Sequence, residues 1–138
     1  MILFIDDEAR LMDSYYNYLE IEMEPYGQEV RFISDVDEAL NYFENQHAEI
    51  DLVILDVMMP FGKSFSASRS NSGLATGLLF YKRIRNLTPS LPVLIFTNYY
   101  EDGLEKLFAN DSKCQLLQKS DYLLEDFVFE VKKSLSLC

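Results

Sequence analysis

Short, wholly apolar runs alternate with longer segments in which apolar positions recur every three or four residues. Ile2 to Ile5 is a continuous apolar run, as expected of a parallel strand buried on both faces. Glu8 to Glu24 places Leu11, Tyr15, Leu19 and Met23 on one helical face, and Pro25 and Gly27 then break the pattern. Val30 to Ile33 predicts a second strand. Ser34 or Asp35 can cap a helix whose inner face is Val36, Ala39, Leu40 and Phe43. Leu52 to Leu55 is all apolar and predicts a central strand. Gly77 to Asn86 predicts a helix with Leu78, Leu79, Tyr81 and Ile84 inward, and Val93 to Phe96 a fourth strand. Leu104, Leu107 and Phe108 predict a fourth helix ending near Asn110. Gln115 to Gln118 follows as a short fifth strand. Tyr122 to Leu135 closes the chain as a helix with Phe127, Val128, Val131 and Leu135 inward. Five strands alternating with five helices imply a parallel sheet covered on both faces.

One segment, Phe61 to Thr76, stands outside this alternation. Its Ser-rich stretch from Lys63 to Gly73 is nearly free of apolar residues and predicts a mobile surface loop. Length adds a bound: 138 residues make a single domain, here 1–138, with an inserted loop at about 61–76. A 49% hydrophobic content excludes a disordered chain. Neither a signal-peptide core nor a run of membrane-spanning length is present, so a cytoplasmic protein with no membrane role is expected. Cys114 and Cys138 make no disulfide framework, and reduced thiols are expected.

The net charge of −11 argues against direct nucleic-acid binding. That charge is unevenly spread. Val57 to Tyr100 contains no Asp or Glu but holds Lys63, Arg69, Lys82, Arg83 and Arg85, which leaves −16 for the rest of the chain. A solvated helix with a basic loop explains such a window, and so does a surface for an anionic partner.

In an open parallel α/β sheet, ligands sit beyond the carboxyl ends of the strands. Those ends carry Asp6 and Asp7, Asp56, Thr97 and Lys119. Clustered carboxylates repel one another unless a cation is present, and a few oxygen ligands with open positions suit Mg²⁺. A carboxylate can accept a phosphoryl group, a lysine can pair with its oxygens, and a threonine hydroxyl can hydrogen-bond another. Phosphoryl transfer to an aspartate needs this set, with catalysis mainly by positioning and charge neutralisation.

The motifs Phe4-Ile5-Asp6-Asp7-Glu8, Leu52-Val53-Ile54-Leu55-Asp56-Val57-Met58-Met59-Pro60, Leu94-Ile95-Phe96-Thr97 and Leu117-Gln118-Lys119-Ser120 occur in order on the right strands. Together they resemble the response-regulator receiver domain of two-component signalling, over almost the whole chain. The resemblance implies a doubly wound, flavodoxin-like sheet of order 2-1-3-4-5. It implies Asp56 as phospho-acceptor, with Asp7 ligating Mg²⁺ directly, Asp6 mainly through water, and the Met58 backbone carbonyl completing the protein ligands. Lys119 would contact the phosphoryl group and Thr97 would swing toward it. The donor would be a phosphohistidine on a sensor histidine kinase or histidine phosphotransfer protein, and the output would be altered binding of another protein. Such a domain catalyses only its own phosphorylation and dephosphorylation.

Four positions depart from the family pattern. Gly77, the glycine that opens the next helix, stands 21 positions after Asp56, which implies the insertion. Asn98 replaces the usual small residue after the threonine. Leu116 occupies the position of an aromatic that often turns inward. Ser120 replaces the usual proline after the lysine, so a trans bond is expected there. Three rival readings remain. A haloacid-dehalogenase-type hydrolase would need a second Asp where Met58 stands. A flavodoxin-like electron carrier would need a phosphate loop where Asp6-Asp7-Glu8 stands. A non-phosphorylated pseudo-receiver acting as an interaction module is the main alternative.

Overall fold

A computed structural model describes residues 1–137; the Cys138 thiol lies outside the described residues. The elements are β1 (Ile2–Ile5), α1 (Ala9–Met23), β2 (Val30–Ile33), α2 (Val36–Gln46), β3 (Leu52–Leu55), α3 (Thr76–Leu87), β4 (Val93–Thr97), β5 (Cys114–Gln118) and α4 (Leu124–Ser134). The strands form one parallel sheet of order β2-β1-β3-β4-β5, as the sequence predicts. No helix is long and apolar enough to cross a membrane.

Strand alternation divides the core in two. Leu3, Ile5, Val53, Leu55, Val93 and Ile95 face α2 and α3, where they meet Leu40, Phe43, Phe80 and Ile84. Ile2, Phe4, Leu52, Ile54, Leu94 and Phe96 face α1 and α4, where they meet Leu19, Met23, Phe127 and Val131. Both faces being covered explains why β1, β3 and β4 read as unbroken apolar runs.

Asp35 caps α2 by accepting the Glu38 backbone N–H at 2.9 Å. Three predicted features differ. The fourth helix is only a 3-10 turn, Leu104–Leu107, entered through Gly103 at φ 83°; one turn's worth of apolar spacing does not sustain an α-helix. In α1, Met12 takes the inner position and Leu11 is 63% exposed. In α3, Phe80 is buried with Ile84 while Leu79 lies outside the core clusters. Four consecutive large apolar residues, Leu78 to Tyr81, leave the helix phase open in the sequence. Tertiary contact sets it: a Cβ on Gly77 would lie 2.0 Å from the Asp56 carbonyl oxygen and 2.6 Å from Val57 Cα, so the start of α3 sits directly against the end of β3.

The 61–76 segment is less featureless than its composition suggests. It begins and ends at one point, because the Met59 N–H donates to Gly73 O at 3.0 Å and the Thr76 hydroxyl donates to Met59 O at 2.5 Å. Gly73, at φ 96°, has no room for a Cβ, which would lie 2.9 Å from Met59 O. Near its start, the Asp37 carboxylate on α2 accepts the backbone N–H groups of Lys63 and Ser64 and the Ser64 hydroxyl. These bonds hold Asp37 below the ordinary carboxylate range, the Ser64 hydroxyl contributing most. Phe65 packs on Phe80 with ring centroids 6.3 Å apart, and Ser70 is fully buried.

Candidate functional site

Asp6 and Asp7 leave the end of β1, Asp56 the end of β3, and Thr97 and Lys119 the ends of β4 and β5. The parallel register brings all of them to one edge of the sheet, as expected. Asp56 is 3% exposed and Asp6 fully buried. One Asp56 oxygen, Oδ1, accepts the Val57 backbone N–H at 2.7 Å and the Thr97 hydroxyl at 2.5 Å. The other, Oδ2, meets the Lys119 ammonium at 3.1 Å. Thr97 is oriented in turn: its oxygen accepts the Tyr99 backbone N–H at 3.0 Å, which leaves its own proton for Asp56. The hydroxyl is turned onto the Asp56 carboxylate.

Lys119 Nζ also lies 2.7 Å from Asp6 Oδ2 and 3.9 Å from Glu8 Oε1. Burial works against its charge, but the Asp56 and Asp6 carboxylates outweigh burial and hold its pKa above the ordinary lysine value. No cis peptide occurs among the described residues, so the Lys119–Ser120 bond is trans.

The carboxylates are strained electrostatically. Burial, then the Asp56 charge, lifts Asp6 to about 6 against Lys119's opposing pull. The same two causes raise Asp7 above its ordinary value. Oxygens of Asp6, Asp7, Glu8 and Asp56 all come within 4.8 Å of one another. Asp6 Oδ2 is buried and, though charge-paired with Lys119, receives no hydrogen bond of acceptable geometry. An all-oxygen set with surplus negative charge and an under-used buried oxygen fits a hard divalent cation. Glu8 is the member that sequence reasoning left out of the candidate ligands; its signal was its place in the acidic run after β1.

A cavity of about 580 Å³ opens beside these carboxylates, bounded by Asp7, Glu8, Met58, Phe61 and Leu74. Met58 is 43% exposed at its rim. The insertion therefore supplies one wall of the entrance. Leu116 packs at the margin of the α2/α3 core, and the neighbouring Gln118 side chain donates to the Tyr99 carbonyl at 3.2 Å. His47 lies before β3, at the opposite edge of the sheet, against Phe43.

The family model described as "Response regulator receiver domain" matches residues 2–120. Among solved structures, a receiver domain from Clostridium thermocellum is similar at 26% identity and TM-score 0.71, covering 98% of this chain and 93% of that one. A CheY-like receiver domain protein from Methanospirillum hungatei is similar at 21% identity and TM-score 0.74, covering 98% and 92%. The receiver domain of NtrX from Brucella abortus shares 22% identity at TM-score 0.69, with each chain covered in full. The last two likenesses concern the fold alone. Comparison with curated proteins gives no match.

Proposed function

The chain belongs to the response regulator receiver domain family of two-component signalling, and from that premise we propose that it takes a phosphoryl group onto Asp56 from a phosphohistidine and signals by changing what it binds. The family implies a histidine kinase as donor; a histidine phosphotransfer protein carries the same chemistry. A single observation carries the reading: Asp56, buried at the end of β3, has one oxygen on the Thr97 hydroxyl and the other on the Lys119 ammonium, beside the Asp6, Asp7 and Glu8 carboxylates.

In the transfer, an Asp56 oxygen bonds to phosphorus as the phosphorus–nitrogen bond of the donor breaks, and the imidazole leaves with the electron pair. Lys119 pairs with a phosphoryl oxygen, exchanging part of its contact with Asp56 for the arriving charge. Thr97 donates its hydroxyl proton to another phosphoryl oxygen, its own oxygen being held by the Tyr99 N–H. Asp6, Asp7, Asp56 and the Met58 backbone carbonyl would hold Mg²⁺, with Glu8 as a further carboxylate at the rim. When bound there, Mg²⁺ supplies charge neutralisation for the phosphoryl oxygens.

Intact mass after incubation with Mg²⁺ and a small acyl phosphate tests this. One phosphoryl increment is expected on the wild type and none on Asp56→Asn, which keeps the shape but loses the nucleophile. An increment that persists in Asp56→Asn overturns the acceptor assignment. No increment on a folded, Mg²⁺-bound wild type favours the interaction module, and continuous turnover of donor favours a hydrolase.

A further inference from the structure

Two parts of the acid-free window from Val57 to Tyr100 face each other. One is the insertion, and the other is the outer side of α3. Between them lies a cleft of about 220 Å³ lined by Ser64, Phe65, Arg69, Leu79, Lys82, Arg83 and Asn86. Three of those seven side chains are cations. Among the described residues, no carboxylate lies within 4.0 Å of Arg69 or Lys82, and Arg83 has only a long 3.9 Å contact with Glu44. Arg85, the remaining cation of the helix, is turned away and fixed on Asp111 at 2.6 Å. Asp37, which holds the neighbouring Lys63–Ser64 backbone, is already occupied by three donors from those two residues. Two of the three cations, Arg69 and Lys82, thus have no carboxylate within 4.0 Å among the described residues, and Arg83 has one long contact, on a chain that is otherwise strongly acidic.

On a chain of net charge −11, three solvent-facing cations around one hollow make a local basic patch that an anion can share. The wall is built rather than loose: Asp37 fastens the Lys63–Ser64 backbone, and Phe65 is seated on Phe80. The volume is below that of drug-sized pockets, which start at about 300 Å³. It suits a phosphate or polyphosphate group, with any attached nucleoside lying outside the cleft, rather than a peptide. Arginine offers a planar fork matched to phosphate oxygens, and lysine a point charge.

We infer that the cleft between the insertion and α3 is a binding site for a phosphate-bearing small molecule, held by Arg69, Lys82 and Arg83. The site is separate from the acidic centre and needs no metal. A phosphorylated ligand there would tie the insertion to α3, and through the start of α3 to the end of β3.

The test uses the full chain in EDTA at low salt, so that the acidic centre repels rather than recruits phosphate. Inorganic tripolyphosphate and ATP are titrated separately and followed by amide ¹⁵N–¹H spectra. Saturating shifts confined to residues 64–69 and 79–86 are expected with both. Equal affinity points to the bare polyphosphate, and tighter ATP to a nucleotide. Arg69→Gln and Lys82→Gln should each weaken binding about tenfold, and Lys106→Gln on the 3-10 turn should leave it unchanged. Non-saturating shifts at basic residues over the whole surface overturn the inference, as does wild-type affinity in Arg69→Gln and Lys82→Gln. Binding of an oligoglutamate peptide with none of tripolyphosphate or ATP also overturns it. None of these readouts involves Asp56, so they stand or fall apart from the phospho-acceptor reading.

Discussion

Removing the Asp6 charge should make the metal-free protein less sensitive to pH, and the size of the change follows from the site. Asp6 is buried beside Asp56, and its pKa stands at about 6 instead of 3.8. That separation corresponds to about 3 kcal/mol. Below pH 3.8 both folded and unfolded chains carry the proton, and the contribution is fully present. As pH rises toward and through 6, the unfolded chain ionises first, and the stability is lost. About half of it disappears between pH 5 and pH 7.5. Other carboxylates titrate in the same range, so the informative quantity is the difference between wild type and Asp6→Asn. Urea unfolding in EDTA should show wild type losing about 1–2 kcal/mol more than the variant over that interval. Magnesium should then stabilise wild type more at pH 7.5 than at pH 5, because cation and proton compete for the same oxygens. Two results would refute the reasoning: parallel pH profiles for the two proteins in EDTA, or a Mg²⁺ effect on wild type that is the same at both pH values.

Gly77→Ala should lower the urea unfolding free energy by about 1–3 kcal/mol, since its Cβ would meet the Asp56 carbonyl at 2.0 Å and overpack the joint between β3 and α3. It should also slow phosphoryl uptake, and an unchanged midpoint with wild-type uptake would contradict the close approach. Asp37→Ala should raise amide hydrogen exchange at Lys63 and Ser64 while changing global stability by about 1 kcal/mol or less, the bonds being exposed. Unaltered exchange there would mean that the carboxylate does not fasten the loop.

Most of the sheet is legible in the sequence because burial on both faces leaves a signal that does not depend on phase. Ile2–Ile5 and Leu52–Leu55 are apolar at every position, and the first polar residue after each run is an Asp that ends in the site. Helices are harder. Leu104, Leu107 and Phe108 have helical spacing, yet Gly103 in the left-handed region and a span of one turn leave only a 3-10 element. Leu78 to Tyr81 offers no polar side to fix the rotation of α3, which is set by Gly77 against Asp56. Glu8 is visible as a third acid in a row, but its nearness to Asp56 depends on how the chain turns into α1. Asp37 carries no local sign of its role, because the backbone groups it accepts lie on the far side of β3 in the sequence.

The pinch that joins Met59 to Gly73 and Thr76 has a consequence for how this protein can change over generations. An excursion whose ends are tied together transmits little of its own length to the scaffold. Doubling such a loop costs only about 0.6 kcal/mol of closure entropy, far less than disturbing the Gly77–Asp56 joint. Insertions, deletions and rewritten side chains between the two tied ends are therefore cheap trials. They alter the wall beside the acidic centre and one side of the basic cleft, while β3 and α3 keep their positions. The segment is a natural place for divergence among descendants of this chain, and a practical one for grafting a reporter or a foreign recognition loop.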